Sequence, residues 1–383
     1  MAHHPFLRAS VALVGAALLA SCSADIPSSD GSVSATDGLD AAASGFATTA
    51  VAEFDQPWAM TFLPDGDALV TEKGGTLQRV DVVDGSATEV AGVPDVVNAG
   101  QGGLGDVIVG PTFAEDRGIY LSWIERGPEG TGAVIGRATL GEPESKLENL
   151  TVIWRQDTTT GDGHFSHRMT ISPDGQFLFV TSGERQKKDP AQDLSTNLGK
   201  VLRLNLDGTP AAGNPFSDRG GVAAQIWSYG HRNPLGIAFD ESGQLWVSEM
   251  GPKGGDELNL ILEGKNYGWP DASNGSDYSG ADIPDHTAGD GFEAPAVWWT
   301  PSVSPGSLMI YSGDKFESWT GDAFLGALSG EALIRVDLDG TTAKLADQWE
   351  MGQRIREVEQ DHDGSIWLLE DGTGGRLLRL TPP

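Results

Sequence analysis

The chain reads as an all-β protein, a six-bladed β-propeller, and three observations carry that reading. A unit of apolar strand, tight polar turn and second apolar strand returns six times. Such units, recurring every ~40–80 residues with no helical periodicity, mark a radial β array. Glycine is abundant, at 52 of 383 residues, as many tight turns require. Six units match six blades around a central channel, whose connecting loops converge on one small site.

The units follow in order. Ala59–Phe62 runs through Pro64-Asp65-Gly66 into Ala68–Val70. Val107–Val109 runs through Pro111 and Asp116-Arg117-Gly118 into Ile119–Trp123. Met169–Ile171 passes Pro173-Asp174-Gly175 into Phe177–Val180. Gly236–Phe239 passes Asp240 to Gly243 into Leu245–Val247. Leu308–Tyr311 leads to Ala323–Gly326. Val358 leads through Asp363-Gly364 to Ile366–Leu369.

Composition bounds the partners. The net charge is −30 and the isoelectric point near 4.4, which argues against nucleic acid and against direct binding to anionic membrane surfaces. The hydrophobic content of 39% is that of an ordinary globular domain. Cys22 is the only cysteine, so no intrachain disulfide can form.

The N-terminus carries Arg8 and an apolar run from Val11 to Ala20, too short to span a bilayer and of signal-peptide form. It ends in Leu19-Ala20-Ser21-Cys22, the form of a bacterial lipoprotein cleavage box. The expected organisation is a signal peptide over 1–21, a lipid-anchored tether rich in Ser, Ala, Asp and Gly over 22–48, and the propeller over 49–383. That makes the protein exported and held on the outer face of the cell membrane through Cys22. The plainer alternative is a secretory signal with an incidental cysteine.

Five polar clusters interrupt the strand pattern: Gly100-Gln101-Gly102-Gly103-Leu104, Gly163-His164-Phe165-Ser166-His167-Arg168, Gly230-His231-Arg232-Asn233-Pro234, Gly251-Pro252 with Asp256-Glu257, and Gln353-Arg354-Ile355-Arg356. Four of them precede the first strand of a unit, the strand that lines the channel, so their side chains should meet at one mouth. Arg168, Arg232, Arg354 and Arg356 would gather positive charge there. Half-buried arginines call for anionic partners, and their planar fork suits carboxylates. The alternation in Arg354-Ile355-Arg356 places both guanidinium groups on one strand face. For any one arginine the alternative is a structural salt bridge. His164 is the candidate proton acceptor. His167, an odd number of residues on, should point elsewhere if the strand has begun. The loop from Gly251 to Asn259 mixes carboxylates with free carbonyls, as Ca²⁺ sites do, without matching an EF-hand. No zinc pattern, phosphate loop or Gly-x-Ser-x-Gly nucleophile is present.

Taken together these loops, with Ile226 to Pro234 and Lys265-Asn266-Tyr267-Gly268-Trp269-Pro270, resemble the soluble pyrroloquinoline quinone (PQQ)-dependent sugar dehydrogenases, most closely the bacterial aldose sugar dehydrogenase branch. The resemblance runs from about Phe54 to the C-terminus. It implies a six-bladed propeller, PQQ as the polyanion, and a calcium beside the quinone. By position His164 resembles the catalytic base; Gln101, Arg232, Asn233, Arg354 and Arg356 resemble the cofactor contacts. The carbonyls of Gly251 and Pro252 resemble ligands of the cofactor calcium, and Glu257 with Tyr267 a further calcium pair. Two departures stand out. Ser329 occupies the place where many members carry a cofactor-contacting lysine, and no second calcium pair follows Pro270, which favours a monomer. Ser302 falls near a cofactor-contacting hydroxyl of some relatives. The expected reaction is oxidation of the C1 hydroxyl of aldose sugars to the lactone, with electrons passed to an external acceptor, a quinone or membrane-associated carrier. The alternative is a non-redox propeller, either a calcium-dependent lactonase or a binding module.

Overall fold

A computed structural model describes Met1, residues 45–143 and residues 145–383. The signal peptide and most of the tether, including Cys22, lie outside the described residues. The chain divides at residue 38, and everything below concerns the second unit.

That unit contains six four-stranded antiparallel sheets, the blades of a β-propeller. Blade one is Pro57–Phe62, Ala68–Glu72, Thr76–Val80 and Ala87–Glu89; blade two is Leu104–Val109, Gly118–Gly127, Gly130–Leu140 and Leu147–Arg155. Blade three is Ser166–Ile171, Phe177–Ser182, Lys200–Asn205 and Ile226–Tyr229; blade four is Pro234–Phe239, Leu245–Glu249, Asp256–Ile261 and Val297–Trp299. Blade five is Met309–Ile310, Ala323–Ala327, Ala332–Asp339 and Thr342–Glu350. Blade six takes Ile355–Gln360, Ile366–Glu370 and Thr373–Thr381 from the end of the chain, and its outer strand, Ala47–Asp55, from the beginning. Each first strand touches the first strands of both neighbouring blades, which closes the ring. The closing strand begins two residues before the expected tether boundary. Phe46, just ahead of it, is buried against Trp319 and Trp349.

The hairpins between first and second strands form for local reasons. Asp240 accepts from the backbone N–H groups of Ser242 and Gln244, both at 2.9 Å, and from Trp246 Nε1 at 3.0 Å. Asp361 does the same with Asp363, Ser365 and Trp367. The aspartate thus fixes the turn and pins a buried tryptophan to it. The core lies between blades: Trp246 packs with Leu325 and Ile334 of blade five, and Trp367 with Met60, Phe62 and Val70 of blade one.

The opposite ends of the first strands carry the other recurring feature. Five of the six begin with a register shift: Pro57/Ala59, Leu104/Val107, Ser166/Met169, Pro234/Gly236 and Ile355/Glu357. A bulge at that point re-aims the side chains that enter the channel mouth.

Candidate active site

The entry loops of all six blades converge on a cavity of about 420 Å³, whose wall includes Trp58, Lys73, Gln101, His167, Arg354 and Arg356. Arg354 and Arg356 face it together, as expected. Both bind one carboxylate: Asp371 accepts from Arg354 Nε at 2.7 Å and from Arg356 Nε at 3.0 Å and Nη2 at 2.9 Å. Arg232 has no ion pair among the described residues. Its Nη1 donates to the carbonyls of Met250 and Gly251, both at 2.8 Å, its Nη2 to Tyr278 Oη at 3.2 Å, and its buried Nε has no partner. Asn233 is buried and accepts from Ser166 Oγ at 3.1 Å. One carboxylate against several cations, with an orphaned guanidinium N–H nearby, is a donor set that fits a polycarboxylate ligand.

Arg168 departs from the expectation. It is buried below the cavity, paired with Glu357 and, at 3.3 Å, with Asp106; it also donates to the carbonyls of Leu235 and Gly306 at 2.9 and 2.8 Å. Trp58 covers its guanidinium at 4.1 Å. All three guanidinium nitrogens donate inside the protein, and both partners of its charge are buried carboxylates, so this arginine is the structural salt bridge.

The two histidines also sit differently from the strand-parity argument. Residues 164, 166 and 167 all have positive φ (49°, 60° and 64°), and the register shift falls after Ser166. Alternation therefore does not hold there, and His167 faces the cavity. It stacks on Trp58 with 5.0 Å between rings, and its Nδ1 shares a hydrogen bond of 2.7 Å with Ser122 Oγ. Burial, then Arg168 and Arg185, push its pKa down to about 3. His167 is thus a neutral floor for the cavity and a poor proton acceptor. His164 is 7% exposed, beside Phe165 on the cavity wall. Gln101 Oε1 accepts its backbone N–H at 2.6 Å, and its Nδ1 lies 2.5 Å from Glu184 Oε1. Burial lowers the His164 pKa, and Glu184 opposes that shift. Burial alone would raise the Glu184 carboxyl, but hydrogen bonds from His164 and from Lys188 N–H hold it below the ordinary range. An ionised carboxylate only accepts, so Nδ1 carries the proton and Nε2 is left as the base.

The proposed calcium ligands divide. Gly251 O is taken by Arg232 Nη1, and a cation there would face that guanidinium. Tyr267 commits its hydroxyl to Leu260 O at 2.6 Å and Leu262 N at 2.8 Å, which leaves only its carbonyl for a metal. Glu257 is buried beside Glu249, and burial followed by Glu249 pushes its carboxyl well up. Near it Asn259 Oδ1 and both ring nitrogens of His286 are buried without partners. His286 Nε2 stands 3.9 Å from Glu257 Oε1. Two buried carboxyls with an orphaned amide oxygen suit a hard cation. Among the described residues no three His, Cys, Asp or Glu side chains form a metal cluster, so carbonyls would complete any such site.

Several residues escaped the sequence reading. Glu184 follows the second strand of blade three, and three other second strands end in glutamate: Glu72, Glu249 and Glu370, all buried. Each accepts a main-chain N–H: Asp55 to Glu72 at 2.6 Å, Arg232 to Glu249 at 2.7 Å, Arg376 to Glu370 at 3.2 Å. An apolar strand ending in glutamate, repeated blade after blade, was the available signal. Arg185 stacks on Phe165 at 3.8 Å and donates to Gly161 O and Gly163 O, holding the loop that carries His164. Ser302 binds Asp256 at 2.7 Å and is not part of the cavity wall, whereas Ser304 is.

Fold and site together define a β-propeller whose channel mouth gathers Lys73, Arg354 and Arg356 about one carboxylate, beside a buried histidine–glutamate pair. Residues 54–379 match the model of the family described as Glucose / Sorbosone dehydrogenase, and the chain belongs to that family. It is therefore an oxidoreductase of the sugar dehydrogenase class. It is 39% identical over 342 residues to aldose sugar dehydrogenase YliI of Escherichia coli (strain K12), covering 86% of this chain and 91% of that one. Quinoprotein glucose dehydrogenase B of Acinetobacter calcoaceticus is 28% identical, with 85% of each chain covered. Among solved structures, the soluble aldose sugar dehydrogenase of Escherichia coli in the apo-form superposes with a TM-score of 0.84 at 38% identity, over 88% of this chain and 100% of the other. The PQQ-bound aldose sugar dehydrogenase of Streptomyces coelicolor gives 0.74 at 31% identity, over 88% and 98%.

Proposed function

We propose that this protein is a PQQ-dependent aldose dehydrogenase that oxidises the C1 hydroxyl of a sugar to the lactone and hands the electrons to an external acceptor. The observation that carries the reading is the cation-walled cavity beside the His164–Glu184 pair. Gln101, Arg232, Asn233, Arg354 and Arg356 would hold the cofactor, the arginines through its carboxylates. Bound there, PQQ supplies a two-electron acceptor for the hydride leaving C1, and calcium a hard cation for its oxygens.

The chain's own part is proton transfer and positioning. Glu184 fixes the imidazole as the Nδ1–H tautomer. His164 Nε2 then takes the C1 hydroxyl proton as the hydride departs, and the carbonyl of the lactone forms. Burial keeps the imidazole neutral at working pH, so it is ready to accept. Glu257, with the Tyr267 carbonyl, is the better-suited calcium site; at Gly251 and Pro252 calcium requires Arg232 to give up Gly251 O.

The test is product analysis. Protein loaded with PQQ and Ca²⁺ should convert an aldose to its lactone in step with dye reduction. Dye reduction without lactone, or lactone hydrolysis without PQQ, would overturn the reading. The Leu19-Ala20-Ser21-Cys22 box supports export and a lipid anchor, with a quinone or membrane-associated carrier as the acceptor.

A further inference from the structure

We propose that Lys73 is a cofactor-binding residue: its ammonium takes a carboxylate of the bound polyanion from the blade-one side of the cavity, next to the arginines of the adjoining blade six. The inference rests on the PQQ reading and extends it to a residue outside the resemblance.

Lys73 follows the second strand of blade one and lines the same cavity as Gln101, Arg354 and Arg356. Its backbone is fixed on both sides, its N–H donating to Gln56 O at 3.0 Å and its carbonyl accepting from Leu104 N at 3.2 Å. A Cβ on Gly103 would come within 2.4 Å of that carbonyl, so the close approach needs glycine. The side chain is thereby aimed from a rigid point. Its ammonium makes one hydrogen bond, to Gly100 O at 3.1 Å, and no ion pair among the described residues. The carboxylate that it feels, Asp371, is already shared by Arg354 and Arg356. Two donor directions of the ammonium remain for a ligand.

The blade-five wall supplies no cation to compete. Ser304 and Leu328 line it, and the Ser329 hydroxyl is bonded to Ser304 Oγ at 2.7 Å. Three cations on the cavity wall against one carboxylate, in a chain of net charge −30, leave local positive charge that only an anion neutralises. Burial and the nearby Arg356 both lower the Lys73 pKa, the second being the repulsion that an anionic ligand would relieve.

The experiment is titration of the metal-loaded, PQQ-free protein with PQQ, followed by quinone absorbance, for wild type, Lys73→Met and Lys73→Arg at several salt concentrations. Lys73→Met should weaken PQQ binding by roughly ten- to a hundredfold and flatten its salt dependence, and Lys73→Arg should restore most of both. Unaltered melting of PQQ-free Lys73→Met would assign the loss to binding. In wild type, acetic anhydride should label Lys73 without PQQ, and PQQ should protect it. Equal PQQ affinity and salt dependence in Lys73→Met, or equal labelling with and without PQQ, would overturn the role of Lys73 alone. A wild type that takes up no PQQ would overturn the cofactor reading and Lys73 with it.

Discussion

His164 and His167 lie three positions apart, yet their surroundings give them opposite chemistry. His164 has a carboxylate on Nδ1, and His167 a hydroxyl, a tryptophan face and two nearby arginines. Replacing His164 with Gln should leave PQQ affinity within a few-fold and slow cofactor reduction by sugar roughly 10²–10⁴-fold in stopped flow. His167→Gln should slow it far less, and the opposite ranking would contradict the assignment. Glu184→Gln separates positioning from proton transfer. Glu184 raises the His164 pKa against burial, so its loss lets that pKa fall further. The base is then neutral to lower pH, and the acid limb of the rate profile should move down while the maximal rate drops. An unmoved limb would mean that Glu184 does not govern the base. His164 was legible in the sequence as a histidine among arginines. Glu184 was not, because its proximity comes from a hairpin that pairs Ser166 with Ser182.

At the scale of elements, the bulges decide what a strand alternation cannot. Arg354 and Arg356 face the cavity together as parity expects, although the register shift of blade six falls between Ile355 and Glu357. His167 escaped it because two consecutive residues adopt positive φ. Arg168 was misjudged for another reason: Asp106, Glu357 and two carbonyls from other blades supply its partners, and nothing local in the chain announces them. Ser329 tests the blade-five wall. A lysine there would reach the cavity past Ser304 and should tighten PQQ binding; an unchanged titration curve would show that this wall does not meet the cofactor. The third strand of blade three opens on a buried cation that holds the loop before it. Lys200 is fully buried and donates to the carbonyls of Pro190, Ala191 and Leu198 at 2.7, 3.1 and 2.6 Å. Burial depresses its pKa from 10.5 to about 7. Between those values the unfolded chain binds the extra proton. Stability should therefore rise with pH across that window, by at most about 1.4 kcal/mol per unit. Urea unfolding of wild type and Lys200→Met would read this, and equal slopes in the two would contradict it.

For the whole molecule, the repeat count gave the architecture because each blade announces itself by the same strand–turn–strand pattern. Closure was less legible. Ala47–Asp55 begins inside the expected tether and belongs to none of the six repeated units, and its partner, Thr373–Thr381, lies at the other end of the chain. Removing the chain up to Asp55 would bare that strand and take Phe54 from the core it shares with Trp367 and Leu377. The truncated protein should lose cooperative thermal unfolding or melt far lower; a native-like melt would contradict closure by this strand. The proposed anchor is a separate matter. Cys22→Ser should move the protein out of the membrane fraction and leave sugar oxidation by the propeller unchanged, whereas membrane retention would contradict the lipoprotein reading. The central claim concerns what the channel mouth holds. The most direct measurement is titration of the purified protein, stripped of cofactor and metal, with PQQ and Ca²⁺ while dye-linked oxidation of a panel of aldoses is followed. The account predicts saturable PQQ uptake at micromolar levels or below, with sugar oxidation rising in proportion. No uptake and no activity with any aldose would contradict it.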